Sequence, residues 1–340
     1  MDSANVAMVF RAKSPILPLE NALVANRMPL LLKRFLLFVS PLTLIFLGVE
    51  IYLRAIDTSY TEKDRELTQA DPEVLILGNS HAAYGVNPNV FSREAFNAAN
   101  VAQSIYFDKR ITLKHLPHLK KLKYVLISID YHSLYFSSQG GRDIWTYLGY
   151  GIPYKNSLTL AEQFSYLMAL KAKVAYNFYE RNSSGRYDII RAIDVEYGVD
   201  VKKPIEKGWF YYVGLQTLEA EKIASRMKDL NAIVHNPSER AEVLADLEDF
   251  ITQLQSRGVT PILFTPPCYP ELTAQFDSEV TRQNQIDIGR LTKKYNIEYW
   301  DYLNFPLPET AFFNSDHLNY EGATIFSKAL NARLNRVSKI

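Results

Sequence analysis

Residues 74–81 constrain the fold of this chain more than any other segment. Four consecutive apolar residues, Val74–Leu77, are followed directly by Gly78 and Asn79. This pattern is typical of a short strand that is buried on both faces and ends in a tight turn. Ser80 follows the turn, and in doubly wound sheets ligands bind beyond the carboxyl ends of the strands. The sequence therefore allows two interpretations: Ser80 meets a substrate, or Asn79 or Ser80 only caps the next helix.

The pattern of strand followed by helix recurs along the chain. Further strands are predicted at residues 124–130, 260–265 and 297–301, and a short strand that runs into a loop of small residues is predicted within residues 95–104. Helices are predicted at residues 108–119, 277–295 and 320–337, and Ser238 is predicted to cap another helix that stops at Gly258. This alternation predicts an α/β fold in which helices cover both faces of a mainly parallel sheet.

Composition excludes several classes of protein. The 340 residues carry 38 basic and 37 acidic side chains and a net charge of +1. This balance gives no electrostatic reason to expect a nucleic-acid partner. Cys268 is the only cysteine, so the chain forms no internal disulfide and offers no cysteine cluster to a metal.

An apolar run at residues 35–53 is about long enough to cross a bilayer as a helix. Basic residues precede the run, whereas charges of both signs follow it, so the positive-inside rule places the N-terminus in the cytoplasm. We therefore predict a cytoplasmic tail at 1–34, a signal-anchor helix at 35–53, a linker at 54–70 and an extracytoplasmic domain at 71–340. A buried core helix is the alternative interpretation of this run.

A second polar motif lies near the C-terminus, where Asn314-Ser315-Asp316-His317 is followed by Leu318-Asn319 and, two residues on, Gly322-Ala323. A serine hydroxyl needs a base to become a nucleophile, and His317 supplies an imidazole. Together the Gly-Asn-Ser turn and this late motif resemble the SGNH (GDSL-like) hydrolase and acyltransferase superfamily. The resemblance is strongest to its membrane-anchored, DltD-like branch, which modifies bacterial surface polysaccharides.

The resemblance implies a three-layer α/β/α, flavodoxin-like domain in which Ser80 is the nucleophile and His317 the base. It also implies an oxyanion hole formed by the backbone N–H groups of Ser80 and Ala102, where Ala102 occupies the position of a family glycine. An alanine keeps this N–H donor provided that the backbone there needs no positive φ. A buried loop whose amide side chains satisfy backbone groups is the alternative for residues 95–104. The family's oxyanion asparagine is missing after the strand at 124–130, and we expect Asp130 there to be structural.

The triad acid of the superfamily usually stands three residues before the histidine, and Asn314 occupies that position here. Asp316 is directly adjacent to His317, where it can orient the imidazole only if the loop bends. Either Asp316 is the acid from an unusual position, or Asn314 orients His317 as an amide. Because a missing acid lowers turnover, low activity is also compatible with the sequence.

Residues 134–236 are predicted to form an insertion or cap over the site. The segment is rich in aromatic residues, and those at residues 166–179 have a spacing that favours a core role over sugar stacking. Gly208-Trp209 is a candidate substrate rim.

The expected function is serine-dependent acyl-ester chemistry outside the cytoplasm, with O-acetyl transfer to or from a cell-surface polysaccharide as the first choice. The alternatives are a plain esterase and a weak or inactive SGNH-like protein that binds carbohydrate or assists assembly of an envelope polymer. The expected partners are the lipid bilayer, the polysaccharide or acyl donor, and a membrane-bound O-acyltransferase. No metal or other cofactor is expected, and the substrate-binding residues are unknown.

Overall fold

The structure is a computed structural model that describes residues 30–55, 59–137, 143–153, 206–235 and 239–337. The chain divides into two compact units, Met1–Tyr52 and Leu53–Ile340. The first unit contributes one described helix, which continues to Ala55. All the strands among the described residues lie in the second unit.

The described helices, in chain order, are α1 (Leu30–Ala55), α2 (Ser59–Ala70), α3 (Ser80–Gly85), α4 (Ile105–His115), α5 (Ile144–Gly149), α6 (Ala220–Val234), α7 (Arg240–Gln255), α8 (Pro270–Thr273), α9 (Ser278–Tyr295) and α10 (Tyr320–Val337). The strands are β1 (Val74–Leu77), β2 (Ala95–Asn97), β3 (Tyr124–Ser128), β4 (Thr260–Thr265) and β5 (Glu298–Asp301). Short 3₁₀ turns occur at Pro88–Val90, Ser133–Tyr135 and Glu309–Ala311.

The five strands form one parallel sheet with the order β2-β1-β3-β4-β5. Leu75 pairs with Val125 on β3, and Leu126 pairs with Ile262 on β4. The chain passes from β1 to β2 on one side and then to β3 on the other, so the strand order reverses at β1. This confirms the predicted α/β class and parallel sheet. Ligand sites of such sheets lie beyond the carboxyl ends of the strands at this reversal.

Alternate residues of the strands belong to different hydrophobic clusters. Leu75 and Leu77 contribute to one cluster, whereas Val74 and Ile76 contribute to the other. Because successive side chains of a strand point to opposite faces, both faces of β1 are buried. This explains why β1 is continuously apolar instead of alternating.

Residues 59–70 form helix α2 where the sequence predicted a linker. The charged residues of this segment suggested an exposed connection, but Tyr60 and Leu67 pack into the first hydrophobic cluster. Lys63 is fully buried, donates to the carbonyl oxygen of Ala99 and lies 4.3 Å from the ring centroid of Phe210. Helix α2 is therefore part of the domain core, and the predicted boundary at residue 71 lies too late.

Helix α1 contains the predicted apolar run and extends beyond it at both ends. Residues Leu32–Ile51 are long and apolar enough to cross a membrane, and only 6% of the apolar window is buried. Pro41 lies within the helix, and the Thr43 hydroxyl donates to the carbonyl oxygen of Val39 at 3.0 Å. The structure thus contains a candidate anchor helix, while the side of the membrane on which the domain lies stays a prediction.

The described part of the predicted insertion corrects the assignment of Trp209. Its side chain is 1% exposed and its indole N–H donates to the Tyr84 carbonyl oxygen at 3.1 Å, so it belongs to the core and not to a substrate rim. Gly208 has φ +75°, and a Cβ there would lie 2.2 Å from the carbonyl oxygen of Asn97. This close approach requires glycine. The aromatic residues at 166–179 and Ser238 lie outside the described residues.

We predict that Leu67→Ala lowers the free energy of unfolding by about 2–5 kcal/mol, because it leaves a cavity in a packed core. Urea denaturation of the full chain in lipid nanodiscs, followed by tryptophan fluorescence, measures the change. Gln69→Ala is the control, since Gln69 is exposed on the same helix. An equal and small effect of both substitutions would show that α2 is a linker after all.

Candidate active site

The turn that carries Ser80 is shaped by Gly78. Its φ is +135°, and a Cβ at this position would lie 2.5 Å from Cβ of Ser128 on the neighbouring strand. The Gly78 N–H donates to Asp108 Oδ1 at 3.1 Å. Asn79 then caps helix α3 by accepting a hydrogen bond from the His81 N–H at 2.9 Å. Asn79 is therefore the cap, and Ser80 is the first residue of α3. Ser80 lies at the carboxyl end of β1, which is where the strand order of the sheet reverses.

The late motif comes to the same edge of the sheet. His317 Nε2 lies 2.8 Å from Ser80 Oγ, although the two residues are 237 positions apart in the chain. The loop before His317 bends sharply, because the Phe313 N–H donates to the His317 carbonyl oxygen at 2.8 Å. A hydroxyl and an imidazole at this distance can share a proton.

The position of Asn314 determines which nitrogen of His317 carries the proton. Asn314 Oδ1 accepts from the backbone N–H groups of Asp316 at 3.2 Å and His317 at 2.9 Å. Because these groups only donate, the atom that faces them must be the amide oxygen. The same oxygen lies 3.1 Å from His317 Nδ1, so Nδ1 bears the hydrogen. Nε2 therefore presents its lone pair to Ser80.

Asp316 lies at the centre of a charged network. Its Oδ1 is 3.4 Å from His317 Nδ1. Its Oδ2 accepts from Arg226 Nε at 2.5 Å and lies 3.3 Å from His81 Nε2. Both candidate orienting groups thus lie close to His317, with the hydrogen bond made by Asn314 and the nearest negative charge supplied by Asp316.

His81 is bound between two carboxylates. Its Nδ1 lies 2.7 Å from Asp130 Oδ1, and its Nε2 faces Asp316. Asp130 is positioned in turn by the hydroxyl of Ser128, which donates to Oδ2 at 3.0 Å. An imidazole with an acceptor at each nitrogen satisfies both only as an imidazolium, which donates twice.

Burial and these charges give the two histidines opposite protonation. Burial, helped by the positive charges of His81 and Arg226 and opposed by Asp316, lowers the pKa of His317 to about 4. Burial also acts against the charged form of His81, but Asp130 and Asp316 raise its pKa well above the usual value. For Asp316, burial is outweighed by its cationic neighbours, which hold the pKa well below the usual range. At neutral pH, His317 is a free base and His81 is a cation.

The predicted oxyanion loop is attached directly to the Ser80 turn. The Asn100 N–H donates to the Gly78 carbonyl oxygen at 3.2 Å, and the Gln103 amide donates to Asp108 at 2.7 Å. Ala102 has φ +56°, the left-handed region that favours glycine. A positive φ is the conformation that a family glycine would adopt, but the prediction that alanine keeps the oxyanion N–H at this position assumed a backbone without positive φ, and that condition is not met. The Ser80 N–H belongs to the first turn of α3, where N–H groups have no partner within the helix.

The ligand atoms of His81, Asp316 and His317 lie within 4.8 Å of one another and could be considered a metal site. The arrangement fits a metal poorly. Arg226 already holds Asp316, and both ring nitrogens of His81 face carboxylate oxygens. A metal ion would have to displace the guanidinium and the proton of His81, so the donor set is better suited to hydrogen bonding than to metal coordination.

Comparison with known sequences leaves the family open. The sequence matches neither a protein-family model nor a curated protein. The resemblance to SGNH enzymes therefore depends on the two motifs and on the way their residues meet.

Several residues of this network were not predicted. Arg226 carried no signal beyond its place on an amphipathic helix. Asp130 was predicted to have a structural role. It orients His81, and His81 in turn contacts Asp316 of the site. His81 directly follows Ser80 in the sequence, and this adjacency was the only signal that could have indicated a role for His81 in the site.

We predict that Ala102→Gly raises the free energy of unfolding by up to about 1.6 kcal/mol. A left-handed conformation costs an L-residue roughly 1–2 kcal/mol, and the greater freedom of glycine in the unfolded chain offsets about 0.4–1 kcal/mol of the gain. Chemical denaturation of both proteins measures the difference. Ala274→Gly is the control: Ala274 has φ −63°, so glycine should lower stability there. A loss at both positions would argue against strain at Ala102.

Proposed function

We propose that this protein performs serine-dependent acyl-ester chemistry, with transfer of an acyl group, most simply acetyl, to or from a surface polysaccharide. The observation that carries the proposal is the chain of contacts from Ser80 Oγ to His317 Nε2 at 2.8 Å and from His317 Nδ1 to Asn314 Oδ1 at 3.1 Å. A nucleophile, a base and a group that orients the base are the parts that acyl transfer needs.

In the proposed reaction, Ser80 Oγ attacks the carbonyl carbon of an acyl ester or thioester while His317 Nε2 takes the hydroxyl proton. The resulting imidazolium donates from Nδ1 to Asn314 and is stabilised by the charge of Asp316. The N–H groups of Ser80 and Ala102 bind the oxyanion. The leaving group departs with the proton from His317. A sugar hydroxyl, or water, then gives its proton to His317 and attacks the acyl-enzyme, and Ser80 recovers a proton as the ester or acid leaves.

The proposal includes the finer fold assignment, a three-layer α/β/α domain of the SGNH type. The strand order, the two separate hydrophobic clusters and the glycine-like backbone at Ala102 support it. Asn314 at the usual place of the acid and the lack of an asparagine after β3 are departures from the family pattern. Asp316, 3.4 Å from His317 Nδ1, is the group that replaces the missing charge.

We further propose that α1 anchors the protein in a membrane and that the domain lies outside the cytoplasm. The length and apolar surface of α1 and the basic residues Arg27, Lys33 and Arg34 support this topology. A surface polysaccharide is then the accessible acceptor. A membrane-bound O-acyltransferase is the partner class that would supply acyl groups to such a site.

A carbohydrate-binding or assembly protein without activity is the second candidate. The amide at Asn314 favours it, because replacing a triad aspartate by asparagine can lower turnover by about four orders of magnitude. The orientation of Asn314 counts against it, since that cost arises chiefly from the wrong tautomer and the amide oxygen here selects the productive one. A plain esterase would use the same residues with water as the acceptor.

We predict that a fluorophosphonate probe labels the full chain at Ser80. Labelling should disappear in Ser80→Ala and slow by at least about 100-fold in His317→Gln, because the base is removed. Mass spectrometry of the labelled peptide measures both. Ser278→Ala, which changes an exposed serine on α9, should label normally. Unlabelled wild-type protein would favour the binding or assembly role.

Transfer and hydrolysis are distinguished by the product. The protein is incubated with an acetyl ester and oligosaccharides, and the sugars are analysed for a gain of one acetyl mass. Transfer gives acylated sugar that is absent with Ser80→Ala, whereas a plain esterase releases acid at a rate that does not depend on the sugar.

We predict that the rate of Ser80 labelling is constant between about pH 5 and 8 and falls with an acid midpoint near 4. His317 acts as a base only when neutral, and its lowered pKa keeps it neutral down to about 4. Labelling rates from pH 3.5 to 8, with circular dichroism as a control for folding, measure the midpoint. An acid midpoint at 6.5, the value of an unperturbed histidine, would contradict the electrostatic description of the site.

A further inference from the structure

An open cleft lies directly beside the His317 loop. Helix α6 forms one wall with Lys222 and Arg226, which are four residues apart and therefore share one face of the helix. Asn314 and Asp316 line the same cleft, and Asp316 accepts a hydrogen bond from Arg226. Since Asn314 also contacts the ring of His317, the cleft begins one side chain away from the group that activates Ser80.

The charges that line the cleft are unbalanced. Asp316 is only 3% exposed, and its charge is already offset by Arg226 on one side and His81 on the other. Lys222 is exposed, and no ion pair joins it to a carboxylate in the part of the chain that the structure describes. Arg226 keeps 30% of its side-chain surface exposed. The cleft therefore presents positive charge to a ligand.

The remaining lining adds neutral donors. Gln216 and Thr217 lie at the entrance to α6 and border the cleft together with Lys222. An anionic group would meet complementary charge and hydrogen-bond donors here, whereas a neutral sugar would leave Lys222 without a counter-charge.

We propose that Lys222 and the exposed edge of Arg226 bind an anionic substituent, a carboxylate or a phosphate, carried by the saccharide substrate. The protein would thus act on an acidic glycan. This inference depends on the proposed function, because it treats the cleft as the acceptor side of the Ser80 site. Lys222 is the specificity residue, while Arg226 also holds Asp316 in place.

The test measures binding directly, by calorimetry with the full chain in phosphatidylcholine nanodiscs. Three probes are compared: a trigalacturonate, the neutral trisaccharide maltotriose, and glucose 6-phosphate. The acidic trisaccharide should bind at least about 10-fold more tightly than maltotriose, and its affinity should fall as salt is raised. Comparison with the sugar phosphate identifies whether carboxylate or phosphate is the preferred anion.

Lys222→Gln should weaken binding of the preferred anionic probe about 3- to 10-fold and leave maltotriose unchanged, because only the charge is lost. Lys228→Gln is the matched control, since Lys228 is exposed on the same helix and does not line the cleft. Equal affinity for acidic and neutral probes, or equal effects of the two substitutions, would overturn the proposal. Lys222-dependent binding to phosphatidylglycerol vesicles without binding of any saccharide would also overturn it and assign the lysine to a lipid surface.

The outcome for this cleft is distinguishable from that for the proposed function. If Ser80 is labelled and acylates sugars but acidic probes do not bind selectively, the cleft proposal fails alone. If acidic probes bind through Lys222 but Ser80 is inert, the cleft is the ligand site of a binding protein and the acyl-transfer proposal fails.

Discussion

The candidate active site depends on one buried carboxylate. Asp316 brings together His81 at the start of α3, Arg226 on α6 and the ring of His317 beside it. Removing one member of a buried charge network typically costs 3–5 kcal/mol, because the remaining charges lose their partners inside the protein. The network therefore holds the Ser80 turn, helix α6 and the late loop in one arrangement, and the Ser80–His317 contact follows from it.

The same network separates the roles of the two histidines. His81 has a carboxylate at each nitrogen and is held as a cation, whereas His317 is buried beside that cation and is held neutral. Two chemically identical side chains thus acquire different charges from their surroundings. This division fits acyl transfer, which needs a neutral base at the nucleophile and fixed charge behind it. It also explains how an asparagine can stand at the position of the usual acid: Asn314 orients the ring, and Asp316 supplies the charge.

The proposed substrate side of the site is formed mainly by α6, which is distant in sequence from both motifs, together with aromatic side chains beside His317. Helix α6 contributes Lys222 and Arg226 to the cleft beside Asn314. The aromatic residues Tyr84 and Tyr212 stack at 4.1 Å and lie against His317. In the proposed reaction, substrate specificity would therefore depend mainly on residues 134–236, the segment whose role the sequence predicts least clearly.

The sequence by itself determined most of the strands and the α/β class, because continuous apolar runs and glycine turns are local signals of buried parallel strands. The pairing of Ser80 with His317 was predicted from the resemblance of the two motifs to SGNH enzymes, and the structure places the two side chains 2.8 Å apart. The sequence placed β1, β4 and α10 at their observed bounds. Tertiary structure alone decided the rest. The burial of Lys63 and Trp209 depends on which elements pack together. So do the contacts of His81 and Arg226 with Asp316 and the contact of Asp130 with His81. Charge and polarity along the chain do not reveal which partners a side chain will find, so these contacts became visible only in the folded domain.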